Sequence, residues 1–253
     1  MPLSVDIDDM LPPPDLHDVG PGDFKAIGQA MADGLKNHPG LQLRPHESVL
    51  DIGCGVGRLA IPLTQYLNAA GRYEGFDVVE RAIAHCRDKI TPRYPNFHFT
   101  CADLANSFYN PTGRAASAGY RFPYPDASFD FAFAASVFTH LLPEPSERYM
   151  LETARVLKRG GRFMATFFLI DDEARRHMEA GHGNIAFLHP HGTGCWLGVP
   201  DKPEAVLSYS EAFVRDLYLR AGFRILEPIG WGNWSGRPVK GTGYQDQIVA
   251  VKA

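Results

Sequence analysis

The sequence predicts an α/β fold in which helices cover both faces of a parallel sheet. Two patterns and one quantity lead there. Short apolar runs take turns with helix-period stretches between residues 48 and 170, the pattern left by βαβ units. Right-handed crossovers and short connections leave few topologies for such a chain. The 253 residues are 45% hydrophobic and 21% charged, the balance of a globular protein in water with ample material for a buried core.

Each element follows from local pattern. Residues 1–22 read as a flexible arm, because Pro12-Pro13-Pro14 excludes a helix and the acids keep the segment solvated. A single domain is expected over 23–253. It opens with a helix over 23–37, where Phe24, Ile27, Met31 and Leu35 recur every three or four residues and His38-Pro39-Gly40 stops the run. Strands are expected at 48–52, 72–77, 96–101, 129–136 and 161–170, with helices at 58–67, 80–90 and 146–157 between them. Residues 105–125, with three prolines and two glycines, read as mostly loop. Residues 171–207 break the rhythm with scattered Gly, His and Pro, so they are expected to be an insertion, either functional or a loop without order. Ser210 caps a last helix, and 222–229 and 246–252 are the last strands.

Composition excludes several classes. The net charge of -4 gives no general basic field for nucleic acid, and the densest basic run, around Lys158, Arg159 and Arg162, is interrupted by glycines. The four cysteines form no C-x-x-C pair, so neither a zinc ribbon nor a thioredoxin-type site is indicated, and free thiols in a cytoplasmic protein are expected. The N-terminus lacks the apolar core of a secretion signal. No run approaches the ~20 apolar residues that span a bilayer.

Chemistry concentrates in VLDIGCGVGRLA, residues 49–60, where a strand ending in an acid meets Gly53, Gly55 and Gly57. So many glycines imply a close approach to the backbone. A dinucleotide loop reads G-x-G-x-x-G, but Arg58 stands at the third glycine position. A phosphate-binding P-loop needs Gly-Lys-Ser/Thr, and no lysine follows. A ligand with adenosine but no phosphates fits better. Asp51 would repel a pyrophosphate and attract a cation, while Asp77, at the end of the next strand, has two acceptor oxygens for a ribose. An NAD-linked oxidoreductase and a non-catalytic nucleotide-binding domain stand as alternatives.

Together with Asp77 in YEGFD, this loop resembles that of class I S-adenosylmethionine-dependent methyltransferases. The likeness continues through CADL (101–104), FPYPDASFDFAFAASVFTHL (122–141) and RVLKRGGRFMAT (155–166), where Arg159 replaces the usual proline. It is strong over 45–170 and looser over 208–253. The resemblance implies a Rossmann-like, doubly wound, seven-stranded sheet, mostly parallel with an antiparallel last strand. It implies S-adenosylmethionine as cofactor, with S-adenosylhomocysteine as product. The cofactor residues it implies are Asp51, Gly53, Gly55 and Gly57 in the loop, Asp77 and the adjoining Val78 at the ribose, Asp103 and Leu104 at the adenine, and Ser136 beside the methionine part.

For a hydroxyl acceptor a general base is useful, and His140, after the fourth strand, is the candidate. No metal is expected: His182, His189 and His191, with Asp171, Asp172 or Glu173, match no closed zinc site. The loop 230–247 places Trp231, Trp234, Arg237 and Tyr244 at the cofactor edge of the resembled fold, residues that suit a carbohydrate. YPNFHF, SFYNPTG and SVFTHLLP resemble a bacterial branch associated with glycoconjugate modification. The expected partner is therefore a small-molecule or glycoconjugate acceptor, most favourably a sugar hydroxyl, with no nucleic acid and no membrane span.

Overall fold

A computed structural model describes residues 7–17, 22–238 and 243–253. Its main sheet contains β1 (Ser48–Ile52), β2 (Arg72–Asp77), β3 (Phe97–Cys101), β4 (Phe129–Ala134), β5 (Leu157–Phe167), β6 (Phe223–Ile225) and β7 (Asp246–Lys252). The strand order is β6-β7-β5-β4-β1-β2-β3. β1 pairs in parallel with β2 and β4, whereas β7 is antiparallel to both β5 and β6. This is the expected seven-stranded, mostly parallel sheet. The order reverses between β1 and β4, so the crevice for a ligand lies at the carboxyl ends of these two strands.

Helices close both faces. α1 (Phe24–Asn37), α2 (Ala60–Leu63) and α3 (Glu80–Lys89) cover one, burying Leu35, Ile61 and Ile83 against Val49, Tyr73 and Phe131. On the other face, α4 (Pro143–Val156) and a later helix (Glu211–Arg220) bury Met150 and Leu217 against Leu50, Ala132 and Phe163. Asp23 caps α1 by accepting from the Ala26 N–H at 2.7 Å. Gly28 lets α1 and α2 meet closely, since a Cβ there would lie 2.4 Å from the Arg58 carbonyl oxygen.

Several boundaries differ from the sequence reading. The helix expected over 58–67 keeps regular α geometry only at Ala60–Leu63 and is otherwise a series of turns. α4 starts at Pro143 rather than 146, because a proline in the first turn sacrifices no helical hydrogen bond. β5 leaves α4 directly at Leu157, with Gly160 at φ 74° inside it. β6 is confined to Phe223–Ile225.

The N-terminal arm falls partly on residues 1–6 and 18–21, outside the described residues. Its described part is docked rather than free: Met10 is buried, and its carbonyl lies 3.0 Å from His85 Nε2. The insertion is ordered too. Asp172–Glu179 forms α5, and a small sheet joins Leu169–Ile170, Leu207–Ser210, Cys195–Leu197 and His189–Pro190 in that order. Phe168, Ile170, Ala174, Phe187 and Trp234 form its core. No helix among the described residues is long and apolar enough to cross a membrane.

Candidate active site

The glycine loop leaves β1 with Gly53, Gly55 and Gly57 at φ 72°, 51° and 82°, the left-handed region that side chains disfavour. Neighbouring side chains also crowd two of these glycines. A Cβ on Gly53 would lie 2.5 Å from Val137 Cγ2, and one on Gly57 would lie 2.9 Å from Ile90 Cδ1. The loop's amides are occupied as well. Gly53 and Cys54 donate to the Phe76 carbonyl at 2.8 and 3.1 Å, Gly57 donates to Cys54, and Gly55 donates to Asp77 Oδ2 at 2.9 Å. These four amides are therefore not a cradle for phosphate.

Asp77 holds this bend. Its Oδ2 accepts from Gly55 and its Oδ1 from the Val79 N–H at 2.9 Å. Each oxygen keeps a further acceptor direction, which suits two adjacent hydroxyls. Burial pushes its carboxyl pKa up, and the Val79, Gly55 and Val78 amides hold it back. Asp51 lies deeper, accepting a hydrogen bond from the Tyr73 hydroxyl. Burial raises Asp51 to about 7, with the Tyr73 bond opposing and Asp77 adding to the rise.

A raised folded-state pKa means that Asp51 holds its proton more tightly in the native protein than in the unfolded chain. Its stabilising contribution is complete below ~4 and is lost as pH rises through about 7. The thermal midpoint of the ligand-free protein is therefore expected to fall across that window. Asp51→Asn should flatten the fall, and an equal slope in wild type and variant would remove Asp51 as its source.

Asp103 and Leu104 end the neighbouring edge. Leu104 is buried, whereas Asp103 pairs with the exposed Arg114, whose guanidinium holds the Asp103 carboxyl below its ordinary value. Ser136, just past β4, has φ 57°, an uncommon conformation for serine. Its N–H donates to Thr166 Oγ1 at 2.8 Å, and its hydroxyl donates to Gln245 Oε1 at 3.1 Å. The structure thus brings Asp77 and the glycine loop together, with Asp103 and Ser136 at the ends of β3 and β4.

His140 follows on the same loop as Ser136. Its Nδ1 is 3.0 Å from the Glu204 carbonyl and its Nε2 is 3.3 Å from the Tyr109 hydroxyl. Burial lowers its pKa, so the neutral imidazole is favoured. Beside this group lies a cavity of about 630 Å³, lined by Ala105, Ala116, Leu142, Pro143, Glu204 and Phe213 among others. Sequence reasoning missed Tyr109 and Glu204, whose separate loops meet only in the fold.

The carbohydrate platform does not form as expected. Trp234 is buried, with its indole N–H donating to Asp246 Oδ2 at 2.7 Å. Arg237 is buried against Asp171 at 2.5 Å and stacks over Trp231 at 4.0 Å. Tyr244 remains half exposed, and residues 239–242 of that loop lie outside the described residues. Among the described residues no group of three or more His, Cys, Asp or Glu is placed to hold a metal ion. All four cysteines are free.

Residues 49–161, rather under half of the chain, match the family model described as a methyltransferase domain. Sheet order and family match together make the chain similar to methyltransferase domains of the class I, S-adenosylmethionine-dependent architecture. Among curated relatives, 27-O-demethylrifamycin SV methyltransferase of Amycolatopsis mediterranei (strain S699) is 29% identical over 156 residues, covering 58% of this chain and 51% of the relative. The tRNA N(3)-cytidine methyltransferase METTL2 of Gallus gallus is 23% identical, covering 79% of this chain and 48% of its own. The chain thus spans about half the length of these curated relatives. Among solved structures, PH0226 of Pyrococcus horikoshii OT3 superposes with a TM-score of 0.60 at 18% identity, covering 95% of this chain and 96% of its own. The magnesium protoporphyrin IX methyltransferase of Synechocystis PCC 6803, solved with bound S-adenosylhomocysteine, gives 0.55 at 18% identity, with 94% and 92% covered.

Proposed function

We propose that this chain transfers the methyl group of S-adenosylmethionine to a hydroxyl of a small molecule or glycoconjugate. The observation that supports the cofactor most is the glycine loop itself. Its Gly53, Cys54, Gly55 and Gly57 amides donate within the protein, while Asp77 keeps acceptor directions for a ribose. That combination favours an adenosine ligand without phosphates over NAD. The cofactor, when bound, supplies a methyl group on a sulfonium. In this proposal Asp77 and Val78 hold the ribose, Asp103 and Leu104 border the adenine, and Asp51, the three glycines and Ser136 frame the methionine end.

For the acceptor, the neutral His140 imidazole supports a hydroxyl, since its Nε2 offers a lone pair to an O–H. The relative that acts on a demethylated rifamycin is named for an O-linked position. The cavity beside Glu204 is mostly apolar, so a ring system or aglycone suits it better than a bare sugar. With Trp234 and Arg237 buried, the sugar-hydroxyl reading rests on glycoconjugates whose apolar part fills this cavity.

Isothermal titration with S-adenosylhomocysteine and with NAD tests the cofactor. Binding of the first alone is expected, and binding of NAD alone would overturn the proposal. A mass-gain screen of hydroxylated small molecules and glycolipids then identifies the acceptor. With that acceptor, His140→Ala should lower kcat by ~10²-fold or more and leave the S-adenosylhomocysteine dissociation constant unchanged; unaltered turnover would remove the base.

A further inference from the structure

The loop that carries His140 is fastened to the inserted segment and its adjoining strand at three consecutive residues. The Leu207 N–H donates to the Thr139 carbonyl at 2.9 Å. The Tyr209 hydroxyl donates to the Leu141 carbonyl at 2.5 Å. Between them, the Glu204 carbonyl lies 3.0 Å from His140 Nδ1. A carbonyl oxygen only accepts, so Nδ1 carries the hydrogen and Nε2 is left with its lone pair. The Tyr109 hydroxyl, 3.3 Å from Nε2, is then the donor to it.

Glu204 also fixes the loop that supplies Tyr109. Its Oε1 accepts from Asn106 Nδ2 at 3.1 Å and its Oε2 from the Ser107 N–H at 2.6 Å. Asn106 Nδ2 reaches the His140 carbonyl as well, at 3.3 Å, and Asn106 Oδ1 accepts from the Tyr109 N–H at 2.8 Å. The Tyr109 ring meets the imidazole edge-on, with centroids 5.0 Å apart, and Phe108 stacks parallel to it at 6.3 Å. One residue of the insertion thus sets both partners of the imidazole.

We propose that Glu204 is a positioning residue that locks His140 in the Nδ1–H tautomer, and that Tyr109 is a catalytic residue passing the acceptor's proton to His140 Nε2. The proposal rests on the methyl-transfer reading. As the acceptor oxygen bonds to the methyl carbon and the S–C bond breaks, that oxygen's proton moves to Tyr109 Oη. Tyr109's own proton moves to Nε2. The products are a methyl ether, a thioether and an imidazolium, which returns its proton to solvent. No oxidant or further reactant is needed. The arrangement gives the insertion a task, because without it neither ring nitrogen of His140 would have a set role.

Long-range proton–nitrogen correlation spectra of the histidine rings test the lock in the full chain, with and without S-adenosylhomocysteine. A neutral His140 ring with hydrogen on Nδ1 is expected. Glu204→Ala keeps the main-chain carbonyl at Nδ1 but removes the carboxylate that holds Asn106 and Ser107, so it and Tyr109→Phe should each shift the Nε2 resonance while keeping Nδ1–H. A ring with hydrogen on Nε2 in the wild type, or an Nε2 resonance unmoved by Tyr109→Phe, would overturn the proposal. With the acceptor from the screen, Tyr109→Phe should lower kcat on the order of 10²-fold with KM for S-adenosylmethionine unchanged. If His140→Ala is slow but Tyr109→Phe is as fast as wild type, the relay fails and the base stands. If His140→Ala is itself as fast as wild type, the base reading fails and takes the relay with it.

Discussion

Replacing Asp77 with alanine is expected to weaken S-adenosylhomocysteine binding by roughly 10²-fold or more. A hydrogen bond to a charged group contributes about 1.5–3 kcal/mol, and the proposed ribose contact has two. The same change releases the Gly55 and Val79 amides, which now donate to the carboxylate at 2.9 Å each. The bend therefore loses both its ligand contact and its internal tie. Asp77→Asn separates these effects. It preserves volume and one acceptor oxygen, but its amide group points hydrogens at a backbone N–H or at a ribose hydroxyl. Its affinity should fall by roughly tenfold or more, with a smaller loss of thermal stability than in the alanine variant. Titration calorimetry and thermal melts of the ligand-free proteins read the two effects independently. An unchanged dissociation constant in both variants would take Asp77 out of the site.

The parts legible in the sequence were those whose signal is local. β1, β2 and β7 are short bounded runs, and their limits match the expected strands to the residue. The cap at Ser210 follows from side-chain chemistry, its hydroxyl accepting from the Phe213 amide three residues on. Less legible were features set by distant partners. The strands at His189–Pro190 and Cys195–Leu197 are two and three residues long and exist only because Leu207–Ser210 pairs with them or extends their sheet. Trp234 was misread for a related reason. A tryptophan in a glycine-rich loop looks available for a ligand, but a buried carboxylate twelve residues on claims its N–H. In the glycine loop the sequence implied a close approach to the backbone; the structure adds positive φ at all three glycines and crowding by Val137 and Ile90. Tyr109 stands inside SFYNPTG, but nothing local to that stretch or to Glu204 marks either as a site residue, because their meeting at His140 depends on the folded insertion.

That buried carboxylate, Asp246, should produce the largest loss of stability on substitution. It begins β7 and gathers three donors from two other segments: the Leu169 N–H at 2.7 Å, and from one loop the Gly232 N–H at 2.8 Å and the Trp234 indole N–H at 2.7 Å. It thus joins the main sheet, the small sheet and the loop after β6. Asp246→Ala leaves all three buried donors without an acceptor, at about 1–3 kcal/mol each, so a loss of at least ~3 kcal/mol is expected. Asp246→Asn should be milder, because an oxygen placed at Oδ2 still serves Leu169 and Trp234 while the amide faces the Gly232 N–H. Burial raises the native carboxyl to about 6, against the pull of its three donors and Arg237. The native group thus binds its proton more tightly than the unfolded one, and its stabilising contribution, complete below ~4, is lost as pH rises through about 6. Asp246→Asn should therefore reduce the pH slope in that window while lowering stability at pH 4. Urea titrations at pH 4 and 7 measure both quantities. An alanine variant within ~0.5 kcal/mol of wild type would show that water or a rearranged loop replaces the carboxylate, and that the junction does not depend on it.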